Sequence, residues 1–240
     1  MISTSEKTIG QIVAEDFRSA SVFKAYGIDF CCKGNRVLDD VCKSKGLPFE
    51  KISHELTEAL SRENQSGMAF NTWPLDLLID FIEKKHHRYV EQKSVDIKGF
   101  LDKLCRVHGE RHPELFEINR EFTESASELA AHMKKEELVL FPYIRQMIKA
   151  KLYGGTFQTA HFGTVQNPIE MMENEHEAEG ERYRRIAQLS NNYTTPEDGC
   201  TTYRVAFAML KEFEEDLHQH IHLENNILFP NALETEMALR

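Results

Sequence analysis

Two stretches of this chain repeat a pattern of side chains able to hold a metal. His132-Met-Lys-Lys-Glu136-Glu-Leu-Val-Leu-Phe141-Pro142 reappears, with every shared residue 88 positions later, as His220-Ile-His-Leu-Glu224-Asn-Asn-Ile-Leu-Phe229-Pro230. Residues four apart on a helix project from one face, so each His/Glu pair presents a nitrogen and an oxygen to the same point. His86 and His176 stand 90 positions apart and extend the repeat to a helical hairpin. The surrounding apolar residues set the direction in which these groups face. Leu210, Phe213 and Leu217 lead in steps of three and four to His220, Glu224 and Leu228, and Phe122, Ala126 and Leu129 lead likewise to His132, Glu136 and Leu140. His86 follows Leu75, Leu78 and Ile82, and His176 follows Ile169 and Met172. The pattern therefore turns a His from each of four helices towards the core.

A single His on an apolar stripe is ordinarily a hydrogen-bonded core residue, and one His-x3-Glu is ordinarily a surface pair. Two copies in register change that balance. A buried carboxylate without a cation costs several kcal/mol or is protonated, and no Lys or Arg lies on these stripes. A metal supplies the missing charge. Imidazole with carboxylate suits iron, manganese or zinc, and the stripes carry no Cys for a thiolate zinc site or an iron–sulfur cluster. With two bridging Glu, five His and a shared oxo or hydroxo bridge, two six-coordinate ions would keep about one position open for a small ligand. The fifth His is the difficult one. His108 lies 22 residues beyond His86, about 33 Å along a straight helix. Both reach one centre only if the chain reverses near Gln92 to Asp96; otherwise His108 caps a helix before Gly109. His87 is expected about 100° round the helix from His86, pointing elsewhere. His218 and His222 are expected in solvent, Cys42, Cys105 and Cys200 in structural roles, and His54, His112 and His161 without evident partners.

The elements that must position these groups read as helices throughout. Four long ones are expected near 74 to 92, 113 to 151, 166 to 190 and 203 to 236, with a shorter piece at 94 to 107. Pro74, Pro113 and Pro168 stand where helices start, and alternating β patterns are missing. Phe141-Pro142 and Phe229-Pro230 are read as packing and a kink. The fold class is all-α: an up-down four-helix bundle over 70–240, preceded by a small helical domain over 1–62. A polar linker, SRENQSG, joins them. At 240 residues the chain has room for both units.

Composition narrows the function. Hydrophobic residues make up 41% and charged residues 28%, as in ordinary globular chains. A net charge of -10 without a basic face argues against nucleic acid. No apolar run approaches the roughly 18 residues of a membrane span, and the N-terminus does not read as a secretory signal, so a cytoplasmic protein without membrane contact is expected. Five unevenly spaced Cys fit reduced thiols rather than a disulfide framework.

The segments KKHHRYV, RVHGERHPEL, HMKKEELVLFP, ENEHEAEGE and HIHLENNILFP resemble the successive ligand segments of the iron–sulfur cluster repair di-iron proteins, a hemerythrin-like bacterial family. SVFKAYGIDFCCKG resembles that family's small N-terminal domain with its paired Cys. The resemblance covers nearly the whole chain. It implies two non-haem Fe ions held by His86, His108, His132, Glu136, His176, His220 and Glu224, with both Glu bridging. It also implies a reactive or iron-handling role for Cys31 and Cys32. The implied function is repair of iron–sulfur clusters damaged by oxidative or nitrosative stress, through donation of iron. Its partners would be damaged iron–sulfur proteins and small ligands such as NO or O2, with a homodimer left open. Reduction of nitric oxide and hemerythrin-like sensing or storage of O2 or NO are the alternatives. The implied role is that of a repair protein more than of a classical enzyme.

Overall fold

In the computed structural model, the described residues are 6–61, 69–154, 157 and 160–240. Most of the expected linker, from Arg62 to Gly67, lies outside them. Four short helices come first: α1 (Ile9–Glu15), α2 (Ser19–Ala25), α3 (Leu38–Lys45) and α4 (Phe49–Ser61). Thr8 opens α1 with a capping box, its hydroxyl accepting from the Gln11 amide while the Gln11 side chain accepts from the Thr8 amide. Gly46 closes α3 in the left-handed region, at φ 64°.

Four long helices form the bundle, and three of them are interrupted by one wide π turn. The first runs through α5 (Leu75–Phe81), a π turn at Ile82–His87 and α6 (Arg88–His108). The second comprises α7 (Glu114–Lys135), a π turn at Glu136–Leu140 and α8 (Phe141–Tyr153). The third is α9 (Gln166–Leu189). The fourth comprises α10 (Thr201–Leu223), a π turn at Glu224–Leu228 and α11 (Phe229–Leu239). α6 packs on α7, α7 on α9, α9 on α10 and α10 on α6, which closes the ring of an all-α bundle. The described residues include no strand, only an isolated bridge between Thr8 and Val37. None of their helices is long and apolar enough to cross a membrane.

The first long helix corrects one expectation. It continues unbroken through Gln92 to Asp96, so the chain does not reverse there and the piece at 94–107 is no separate element. Pro74 and Pro113 immediately precede helices, and Pro168 falls in the first turn of α9, where a missing N–H costs nothing. Pro142 and Pro230 each follow a π turn instead. Just before them, the amides of Phe141 and Phe229 donate to the carbonyls of Glu136 and Glu224, five residues back. The wide turn accommodates the proline, where a regular α turn would meet the ring with a carbonyl.

The apolar core is divided in two. One cluster gathers Ile97, Phe122, Leu129, Tyr183, Phe213 and Ile221 with the N-terminal Ile9, Phe23 and Leu38. The other gathers Leu78, Ile82, Leu140, Met172, Leu223 and Phe229. The His/Glu layer falls between them in the sequence of each long helix.

Candidate metal centre

Glu136 and Glu224 are fully buried side chains facing one another across the bundle, each at the first position of a π turn. Glu136, Glu224, His87 and His220 present atoms all within 4.8 Å of one another; so do Glu136, Glu224, His132 and His176. The two groups share both carboxylates. His132 Nε2 lies 3.4 Å from Glu136 Oε1, and His87 Nε2 lies 3.4 Å from Glu136 Oε2. Across the centre, His220 Nε2 is 3.1 Å from Glu224 Oε1 and His176 Nε2 is 3.2 Å from Glu224 Oε2. One oxygen of each Glu thus faces one group and the second faces the other, the geometry of a carboxylate between two cations.

Three of the four outer nitrogens are held by a second layer, whereas His220 Nδ1 is buried without a partner. His132 Nδ1 meets Glu175 at 2.7 Å, His176 Nδ1 meets Asn225 Oδ1 at 2.8 Å, and His87 Nδ1 meets Glu137 at 3.0 Å. An Nδ1–H donated outward leaves the Nε2 lone pair pointing inward, which is how metal-binding imidazoles are oriented. Its consequence shows between His132 and His176, whose Nε2 atoms lie 3.0 Å apart. With both Nδ1 protons donated outward, two lone pairs face each other unless a positive species lies between or beside them.

The unpartnered atoms point the same way. His86 Nε2, His87 Nε2, both Glu136 oxygens and Glu224 Oε2 are buried without a hydrogen-bond partner. Native interiors leave few polar atoms in this condition. In the absence of a cation the charge must come from protons. Burial works against a charged ring at His132, yet Glu136 and Glu175 outweigh it and push its pKa up to about 10. Burial and Glu224 oppose ionisation of Glu136, but the surrounding imidazoles hold it below the usual carboxylate range. Protons and cations therefore compete for one electrostatic hole.

The expected residues separate as follows. His132, Glu136, His176, His220 and Glu224 come together. His86 is fully buried, stacked on His220 with ring centroids 5.5 Å apart, and its Nδ1 meets Asp216 at 3.0 Å. It lies outside both four-residue groups, yet its free Nε2 is one of the orphaned atoms. His108 is not brought to this centre: α6 is continuous, and His108 Nε2 lies 3.3 Å from Cys200 Sγ instead. His87, expected to point away, belongs to the centre. The π turn over Ile82–His87 breaks the 100° phase on which that expectation rested, so adjacent His86 and His87 both stay buried. The residues holding the outer nitrogens of His87, His132, His86 and His176, namely Glu137, Glu175, Asp216 and Asn225, are not among those the sequence pattern singles out. Their signal was position: Glu137 follows Glu136, Glu175 precedes His176, Asn225 follows Glu224, and Asp216 lies four before His220.

Other expectations also change. His222 is buried between Phe17 and Phe30, with centroids at 5.8 and 6.0 Å, and burial pushes its pKa down to about 3. His218 is packed on Phe30 at 6.1 Å. His222 is buried and His218 half-buried, because Phe17 and Phe30 of the N-terminal region cover that face. His112 has partners in Glu114 and Asp198, at 3.0 and 2.9 Å. His54 is near Glu58 at 3.6 Å, and His161 meets the Phe162 ring at 5.2 Å. Cys42 and Cys105 are buried, whereas Cys200 is exposed.

The paired Cys are free thiols with sulfurs 3.7 Å apart. Asp29 Oδ1 accepts from the amides of Cys31 and Cys32 at 3.1 and 3.0 Å and fixes the turn. The neighbouring Cys32, burial and Asp29 push the Cys31 pKa well up. Cys32 Sγ donates to the carbonyl of His176 at 3.3 Å, and the Asn225 amide donates to the Cys31 carbonyl at 3.3 Å. Asn225 therefore touches His176 and the paired-Cys turn at once.

Comparison with known proteins agrees with this arrangement. The sequence pattern of the hemerythrin HHE cation binding domain matches residues 78–232, and that of ScdA_N, a domain of unknown function (DUF542), matches residues 5–60. The iron-sulfur cluster repair protein YtfE of Yersinia pestis (strain Pestoides F) is 33% identical over 230 residues, 96% of this chain and 98% of the relative. The protein of the same name from Yersinia pseudotuberculosis serotype IB (strain PB1/+) is 32% identical over the same share of each chain. With two carboxylates shared between two imidazole groups, and with likeness extending over almost its full length, this chain belongs to the hemerythrin HHE family and, within it, to the iron–sulfur cluster repair proteins.

Proposed function

We propose that the chain repairs damaged iron–sulfur clusters by supplying iron from a di-iron centre. The observation that carries this reading is the pair of buried groups sharing Glu136 and Glu224, which calls for two cations rather than one. Imidazole and carboxylate without thiolate suit iron among the first-row metals. The proposed ligands are His87, His220, His132 and His176 with both Glu bridging, and His86 through its orphaned Nε2. This set has five imidazoles, with His87 in place of His108. When bound, two irons supply redox capacity and a positive charge that the buried carboxylates otherwise lack. The protein's part is to hold the Nε2 lone pairs inward, to keep both Glu ionised, and to exclude bulk water.

Donation requires a path outward. His132, His176, Lys135 and Glu175 line a cavity of about 190 Å³ between α7 and α9, reaching from the centre towards the surface. Cys31 and Cys32, with Asp29, form a third group of potential ligands, all within 4.8 Å of one another. They lie one hydrogen bond from the backbone of His176, which supports an iron-handling role for the pair. Damaged iron–sulfur proteins are the proposed recipients.

The test is transfer. Iron-loaded protein is incubated anaerobically with a nitric-oxide-damaged cluster-dependent hydratase, and hydratase activity and iron remaining on the donor are followed together. Recovery of activity with matching loss of donor iron is expected, and a Glu136→Gln/Glu224→Gln chain restores nothing. Recovery with free ferrous iron but none with the loaded protein would sink the reading. Retained iron with sustained nitrous oxide production would point to nitric oxide reduction instead.

A further inference from the structure

His108, displaced from the metal centre, has a different neighbour. It is the last residue of α6, with a side chain 95% buried (5% exposed), and its Nδ1 has no hydrogen-bond partner. Its ring packs edge-on against Tyr203, with centroids 5.5 Å apart. Among the described residues the ring's single polar contact is Nε2 to Cys200 Sγ at 3.3 Å. A buried imidazole whose only hydrogen bond goes to a surface thiol is poorly explained as packing, because Phe would fill the space without an orphaned nitrogen.

Cys200 is exposed and free, and it occupies the N-cap of the 23-residue α10, a place usually held by Ser, Thr, Asp or Asn. A helix start favours an anion, and the N–H of a neutral imidazole favours a thiolate. His108 first, then the amides of Tyr203 and Thr202, bring the Cys200 pKa down to about 7. The acid groups nearby are engaged elsewhere: Asp198 with His112 and Arg111, and Glu114 with His112. The other thiols differ. Cys31, Cys42 and Cys105 are buried, the Cys31 thiol pushed up by its neighbour, and half-buried Cys32 donates to the His176 carbonyl.

We propose that Cys200 and His108 form a thiol-exchange site that takes up low-molecular-weight disulfides. The thiol proton passes to water, leaving a thiolate that accepts from His108 Nε2–H, and Sγ attacks one sulfur of the disulfide. The Cys200–S bond forms as the disulfide's S–S bond breaks, and the leaving thiolate takes up a proton. One disulfide is consumed, one mixed disulfide is made and one small thiol is released, with no other oxidant. The site lies at the far end of α6 from His86 and His87, so this chemistry is separate from the metal centre.

The test uses the full-length, iron-loaded chain and oxidised glutathione as the probe at pH 7, with adducts located by peptide mass mapping. The first adduct is expected on Cys200. The expected rate there is about threefold above that of the same cysteine in the urea-unfolded chain, since the larger thiolate fraction outweighs the lower nucleophilicity of a more acidic thiol. His108→Gln is expected to bring the folded rate down towards the unfolded value, the helix start keeping a part of the difference. A folded rate at or below the unfolded one overturns the proposal without recourse to any variant. A first adduct on another cysteine, or a disulfide-linked dimer appearing before any adduct, overturns it too.

Discussion

His86 and His87 show how much chemistry rests on the phase of one turn. In a regular α-helix, neighbours diverge by about 100° and one of the two would leave the core. The π turn at Ile82–His87 keeps both buried, with Asp216 on the outer nitrogen of one and Glu137 on that of the other. Two substitutions separate this arrangement from the one the spacing suggested. His87→Ala is expected to lower bound iron from about two per chain to about one or fewer, given that loss of even an outer supporting contact typically costs 10–100-fold in metal affinity. His108→Ala is expected to leave iron content unchanged. Metal analysis of both variants after anaerobic loading checks this, and the opposite pattern would return His108 to the centre. At this scale the inward groups on α7, α9 and α10 were legible from sequence because ordinary helical periodicity governs the residues leading up to them. His87 was not, because a π turn has no distinct signature in residue types.

Three of the four long helices carry a π turn at the same level, two of them beginning at Glu136 and Glu224. A one-residue widening shifts the phase of all that follows, so each helix presents its His/Glu layer and still packs an apolar stripe beyond it. Phe141-Pro142 and Phe229-Pro230 belong to this device: the proline cannot donate to the preceding turn, and a wide turn absorbs the loss. The N-terminal helices dock where two glycines permit it. A Cβ on Gly10 would fall 2.0 Å from Asn226 Oδ1, and one on Gly34 would fall 2.5 Å from the Phe30 carbonyl. Asn226 in turn donates to the Phe30 and Cys31 carbonyls at 3.3 and 3.2 Å. Gly10→Ala is therefore expected to cost about 1–3 kcal/mol by overpacking. It should also loosen the paired-Cys turn from α9. Thermal unfolding gives the first effect, and the rate of Cys32 alkylation gives the second. Unchanged values for both would show that this contact yields without penalty.

Taken as a whole, the molecule encloses a polar layer between two apolar clusters, and the cost of that layer falls on the metal-free state. Removing the metal leaves Glu136 and Glu224, both 0% exposed, to be balanced by protons on imidazoles. A ligand that binds only the folded chain adds about 4 kcal/mol at a concentration a thousand times its Kd, equivalent to about 8–16 °C in Tm for a chain of this size. Chelation is expected to lower Tm by at least that much and re-addition of ferrous iron to restore it, as scanning calorimetry would record. A Tm indifferent to chelation would mean that the layer is stable without cations. By itself the sequence determined the helical class, the four inward stripes and the doubled His/Glu pair, because each follows from local periodicity and from the expense of an unpaired buried carboxylate. It could not determine which imidazole completed the set or what His108 was for. Those depended on whether the first long helix reversed, where its turns widened, and which loop came to lie against its far end, and all three are settled by contacts between segments distant in the chain.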